Sequence, residues 1–138
     1  LHIINNFKNI PKIWSIEKAI KEFINSINSI LYTQSIHEYE RPEYITTITV
    51  VVIKGNRLYG ANAGDSRIYL LRDNKLNQLS YDHNEDGMPN VLSNAIGISP
   101  EVQIHYFENN IAIKGSISNG FGSGDSTVVG GGVSYTWK

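Results

Sequence analysis

The sequence predicts an α+β fold, one helix packed on an antiparallel β meander, and three observations lead to it. An apolar stripe at helical spacing occupies residues 16–31, a β-branched run follows at 46–53, and short turns then separate strand-like segments as far as residue 79. The chain has 138 residues, 41% of them hydrophobic and 18% charged, which suits one globular domain or part of one.

The helix rests on Ile16, Ala19, Ile20, Phe23, Ile24, Ile27, Ile30 and Leu31, with Lys18, Lys21, Glu22, Asn25 and Ser29 filling the other face. Such a stripe serves either a partner or the chain's own sheet, and the sheet is the expectation because most such stripes are core faces. Ser15 has the side chain of an N-cap, and Glu17 sets a negative charge in the first turn. Residues 34–43 read as a polar linker.

Thr46 to Ile53 is β-branched throughout, the composition of a strand covered on both faces. Lys54-Gly55-Asn56-Arg57 turns the chain, Leu58 to Ala63 and Arg67 to Arg72 are strands around the Gly64-Asp65 corner, and Asp73-Asn74-Lys75 turns it again before Leu76 to Leu79. Asn90 to Ile96 is expected to hold a short helix and Val102 to Phe107 a further strand.

Twelve Lys and Arg against thirteen Asp and Glu leave a net charge of −1 with no basic block, so nucleic acid is not an expected partner. The absence of cysteine excludes disulfides, thiolate metal sites and a cysteine nucleophile. Residues 1–6 show neither an initiator Met nor a cationic segment followed by a long apolar run, so no signal peptide or membrane helix is visible. The chain reads as a piece of something longer, and its expected location is cytoplasmic.

The most informative local feature is Ala61-Asn62-Ala63-Gly64-Asp65-Ser66-Arg67-Ile68-Tyr69. A glycine there permits an abrupt turn between strands and leaves Asp65 at the sheet edge, either bonded to its own backbone or pointing into a cleft. Read in order, Thr46-Thr47, Gly55-Asn56 with Leu58, this corner, Leu76 with Gln78-Leu79, Asp82-His83, and Asn90-Val91-Leu92 with Ala95-Ile96-Gly97 resemble the metal-dependent serine/threonine phosphatases of type 2C. The resemblance covers roughly residues 15–110.

That resemblance implies a β-sandwich flanked by helices, of which this chain is the middle section. It also implies Mn²⁺ or Mg²⁺ as cofactor, held by carboxylates and supplying an activated water for attack on phosphorus, and a phosphoserine or phosphothreonine protein as substrate. The Asp of the family's Gly-Asp-Ser-Arg element helps to hold an additional, weaker metal, and Asp65 is its match. Gly64, Ser66 and Arg67 are then structural support for that site.

Most of the family's other ligand motifs have no counterpart. Its first Asp-Gly would fall upstream of Leu1, and where a later Asp-Gly should follow Tyr106-Phe107 the sequence has Ile111-Ala112-Ile113-Lys114-Gly115. Asp125 follows His83 too soon to match the final Asp-Asn pair and is not assigned as a ligand. The catalytic residues are therefore not identified, and the expectation is an incomplete domain without turnover of its own.

Asp82-His83-Asn84-Glu85-Asp86-Gly87 opens like a calcium-binding loop, but the twelfth position is Ser93 and Pro89 interrupts it, so an acidic solvent loop is expected. His2, His37 and His105 read as surface or packing residues.

From residue 111 charge nearly vanishes and glycine rises. Residues 111–138 form a second part, distinct from 1–110, and read as a Gly-rich β-hairpin. Val129, Val133, Tyr135 and Trp137 alternate with small residues, which fits a hairpin finishing a soluble sheet and equally an outer-membrane barrel strand. Lys114-Gly115-Ser116, Gly122-Ser123-Gly124-Asp125 and Tyr135-Thr136-Trp137 resemble the end of the membrane anchor of trimeric autotransporter adhesins. That alternative implies an outer-membrane location reached through the tail.

Overall fold

The computed structural model describes residues 11–12, 14–111, 127–130 and 133–136. Helix α1 (Ile16–Tyr39) begins at Ser15, whose side chain accepts from Lys18 N–H at 3.1 Å, and ends at Glu40 in the left-handed region with φ 60°. The helix continues through most of the expected polar linker. Gln34 and Glu38 pair one turn apart at 2.9 Å, and buried Ser35 accepts from Glu43 N–H at 3.2 Å and Tyr44 N–H at 2.8 Å. Those bonds turn a polar stretch into the last turns of the helix and its exit.

Strands β1 (Ile48–Lys54) and β2 (Arg57–Ala63) form a hairpin through Gly55-Asn56, and β7 (His105–Asn110) pairs antiparallel with the other edge of β2. Strands β3 (Ile68–Arg72) and β4 (Lys75–Gln78) form a second hairpin, whose turn residues Asp73 and Asn74 have φ of 50° and 58°. Positive φ at both central positions is the geometry that matches strand twist. The meander is thus divided between two sheets: β1-β2-β7, and β4-β3 extended by β8 (Thr127–Gly130) and β9 (Val133–Thr136). The Gly64-Asp65 corner joins no neighbouring pair of strands; it carries the chain from one sheet to the other.

The alternation along β1 and β2 explains why both faces are covered. Ile48, Val50, Val52, Tyr59, Ala61 and Ala63 meet Ile20 and Ile24 of α1. Val51, Ile53 and Leu58 face Ile68 and Leu70 of the second sheet, with Phe107 and Ile111 closing the layer. The architecture is therefore helix on sheet on sheet, the α+β class expected from the sequence. Buried Asn28 fastens the helix at a distance: Nδ2 donates to the carbonyls of Ser99 and Pro100, each at 3.1 Å, and Oδ1 accepts from Gly97 N–H at 2.7 Å.

Two expectations need correction. Residues 90–96 hold no helix; β6 (Met88–Leu92) instead pairs with β5 (Asn84–Glu85) across a turn in which Gly87 has φ 75°. The acidic loop around Asp82 to Gly87 is for that reason partly a small hairpin. The strand expected at 102–107 starts at His105, because the ladder with β2 begins at the pair Asn62 and His105. Val102 and Ile104 pack on the core without joining it.

Strand β8 pairs antiparallel with β3, from Ile68 opposite Gly130 to Leu71 opposite Thr127, and β9 pairs with β8. A hairpin within residues 127–136 thus extends the second sheet, whereas the sequence predicts one strand at 110–118 and a single strand at 127–137. The expected alternation of Val129, Val133, Tyr135 and Trp137 concerns side chains outside the described residues, as do residues 112–126.

Candidate functional site

At the corner between the sheets the most informative motif of the sequence coincides with unusual backbone. Gly64 has φ 106°, a value side chains disfavour, and a Cβ there would run into the Thr47 side chain. Only glycine fits this approach. Thr47 reaches the corner a second time, with Oγ1 2.6 Å from Ser66 Oγ.

Beneath the corner lies Asn62, fully buried on β2. Its Nδ2 donates to Tyr81 O at 2.5 Å and Gly64 O at 3.3 Å, and its Oδ1 accepts from Tyr81 N–H at 3.2 Å. His105 Nδ1 is also 3.2 Å from that Oδ1. One amide side chain therefore ties β2, the corner, the segment after β4 and β7 together. His83 adds two bonds to Gly64: its backbone N–H donates to Gly64 O, and its Nδ1 accepts from Gly64 N–H, each at 3.1 Å. Burial first and His83 second push the His105 imidazole below its ordinary value.

Arg67 leaves the corner on the solvent side and places Nε at 2.7 Å and Nη2 at 2.5 Å from Asp82 Oδ2. Asp82 Oδ1 accepts from Gln78 Nε2 at 2.8 Å. The guanidinium is raised above its ordinary value, chiefly by its bond to Asp82. Arg67 is thus tied to Asp82 and Ser66 to Thr47 at the corner. Asp65 itself is exposed, and the nearest described partner of its carboxylate is Asn84 Nδ2 at 3.4 Å from Oδ2.

Paired divalent ions need several oxygen ligands converging on one point. Among the described residues no group of three or more His, Asp or Glu side chains is placed to hold a metal ion. Asp82 is engaged by Arg67, which leaves Asp65 as the one carboxylate the corner itself offers. The described residues do not fit a paired-metal centre; they fit at most a single peripheral ligand. Where the family's later Asp-Gly was sought, Ile111 is buried in the core between the sheets, and Asp125 lies outside the described residues.

Asn62, His83 and His105 as a unit were not legible beforehand. The partner of His105 in this cluster, Asn62, lies far away in sequence. A polar residue set between Ala61 and Ala63 in an otherwise apolar strand was the available sign.

A helix covering one of two stacked antiparallel sheets, with a Gly-Asp corner between them, is consistent with part of the sandwich that the type 2C resemblance implies. The family model described as "Protein phosphatase 2C" matches residues 2–86, and the chain belongs to that family. The serine/threonine phosphatase stp of Listeria welshimeri serovar 6b is 31% identical over 111 residues, which cover 67% of this chain and 43% of that protein. Among solved structures, PppA, a key regulatory component of T6SS in Pseudomonas aeruginosa, superposes with a TM-score of 0.70 at 19% identity, covering 91% of this chain and 54% of that one. The catalytic domain of the serine threonine protein phosphatase PstP in complex with 2 manganese ions gives 0.69 at 20% identity, covering 92% and 55%.

The chain thus spans less than half the length of the curated relative and about half that of the two structures. None of these matches supports the membrane-anchor resemblance of residues 111–138. No helix among the described residues is long and apolar enough to cross a membrane.

Proposed function

We propose that this chain is the helix-and-sheet portion of a metal-dependent serine/threonine phosphoprotein phosphatase, and that by itself it does not turn over substrate. Asp65 is the ligand it contributes, to a peripheral Mn²⁺ or Mg²⁺, with Gly64, Ser66 and Arg67 holding that ligand in place. The observation that carries this reading is the exposed Asp65 carboxylate on a corner whose backbone is fixed from Thr47, Asn62 and His83, with no group of three His, Asp or Glu side chains placed to hold a metal among the described residues. Family membership supports the chemistry, and the manganese complex of PstP supports the kind of metal. In the complete enzyme the metal centre would acidify a water for attack on phosphorus. Proteins carrying phosphoserine or phosphothreonine are the proposed substrates of the complete enzyme, and a cytoplasmic location and the division into residues 1–110 and 111–138 belong to the same proposal.

The test is hydrolysis of a phosphothreonine peptide by the 138-residue chain in Mn²⁺, alongside Mn²⁺ binding followed by paramagnetic broadening. No turnover, with weak Mn²⁺ broadening around Asp65 that disappears in Asp65→Ala, is the expected result. Turnover that Asp65→Ala abolishes would mean that a working centre is assembled from residues beyond this corner. Absence of any broadening at Asp65 would remove its role as a ligand.

A further inference from the structure

His83 is a buried side chain that the proposed function uses only as one of three braces on the backbone of the corner. It is 8% exposed and grips one residue from two sides, through its own backbone N–H and through its ring. The ring nitrogen Nδ1 stands 3.1 Å from Gly64 N and also 3.1 Å from Gly64 O. That oxygen already accepts from His83 N–H and Asn62 Nδ2. Gly64 O therefore has two donors without the ring, while Gly64 N–H finds its acceptor in a bare Nδ1, with the proton on Nε2. A protonated Nδ1 would set one N–H against another, and the bare nitrogen is left with a close approach to an already satisfied oxygen.

The segment that carries the ring is itself immobilised. Both backbone groups of Tyr81 are bonded to Asn62, and Ser93 N–H donates to His83 O at 2.9 Å. Gly64, by contrast, is the residue type with the least conformational preference of its own, held at φ 106°. What fixes its peptide must come from outside the local chain, and the direction of Asp65 follows from that peptide.

We propose that His83 is a positioning residue: by holding both polar backbone atoms of Gly64, with Nδ1 unprotonated, it fixes the direction in which Asp65 presents its carboxylate. This rests on the reading of Asp65 as the functional group of the corner.

The test compares the 138-residue chain with His83→Leu, which keeps the bulk, and His83→Asn, whose side-chain oxygen can stand where Nδ1 stood. Amide exchange at Gly64 and the backbone and carboxyl resonances of Asp65 are read by NMR, with Val50 to Val52 of β1 as an internal control. His83→Leu is expected to speed Gly64 exchange by at least about tenfold and to shift Asp65, and His83→Asn to restore both while β1 stays unchanged. A leucine that serves as well as asparagine would overturn the proposal, since the ring would then only fill space. Nitrogen shifts of the unmodified chain that place the proton on Nδ1 would overturn it equally, and they need no variant to fold. Adding Mn²⁺ to the same samples separates the two readings. An intact clamp without broadening at Asp65 sinks the metal assignment alone, and broadening that is equal in all three chains sinks the clamp alone.

Discussion

Thr47 packs its side chain against the bare Cα of Gly64, on a corner where that glycine has φ 106°. Gly64→Ala should therefore meet backbone strain and an overfilled contact together, and lose about 2–4 kcal/mol of stability in urea denaturation. Thr47→Ser removes the nearer of the two Thr47 atoms that a new Cβ would strike. In the Gly64→Ala background it should recover part of the loss, while the contact with the Cβ of residue 47 at 2.6 Å and the conformational share remain.

Asn62→Leu keeps the branching and heavy-atom count of the side chain but removes a donor and an acceptor that serve the backbone of Tyr81 and the carbonyl of Gly64. Leaving such groups without partners costs about 1–3 kcal/mol. The variant is expected to fall by at least that much in thermal or urea unfolding, and amide protection at Tyr81 should drop with it. A neutral substitution would show that water replaces the amide.

The two ends of the helical stripe should behave differently. Ile24 is 1% exposed against the first sheet, whereas Ile30 is 59% exposed. Ile24→Ala should cost about 2–5 kcal/mol and Ile30→Ala within about 0.5 kcal/mol, measured by the same denaturant titration. Equal costs would mean that Ile30 is covered in solution.

His105 gives the fold a pH dependence of definite sign. Its folded imidazole lies below the ordinary value of 6.5, through burial and then through His83, so the unfolded chain binds the proton more readily. The associated stability is complete above pH 6.5 and is lost as pH falls toward the lowered folded value. Glu108, lowered chiefly by its bond to Arg57, acts only below its ordinary 4.5 and so in a separate window. Unfolding midpoints from pH 8 to pH 5 should fall more steeply for the native chain than for His105→Gln, and parallel curves would remove His105 as the cause.

Much of the fold could be read from the sequence because period and composition act locally. Ile16 to Leu31 and Thr46 to Ile53 specify their own covered faces, and Asp73-Asn74 its own turn. Turn chemistry does not say which sheet a strand will join, so the Gly64-Asp65 corner read as one more reversal within a meander. Asn28 and Ser35 interrupt the apolar face of α1 and would count against burial, yet each is buried because it satisfies backbone groups of a loop. The same limit hid the cluster beneath the corner. Asn62 and His105 are 43 positions apart, and no local pattern links them.

The pairing of β8 with β3 sets an order of events. The free side of β3 is closed by residues 127–130, which leave the ribosome long after the hairpin they complete. Until then the second sheet of a nascent chain is open along a strand whose Leu70 belongs to the core, and the first is finished only once residues 105–110 have emerged. In that interval the molecule offers a strand-shaped vacancy to a chaperone or to another copy of itself.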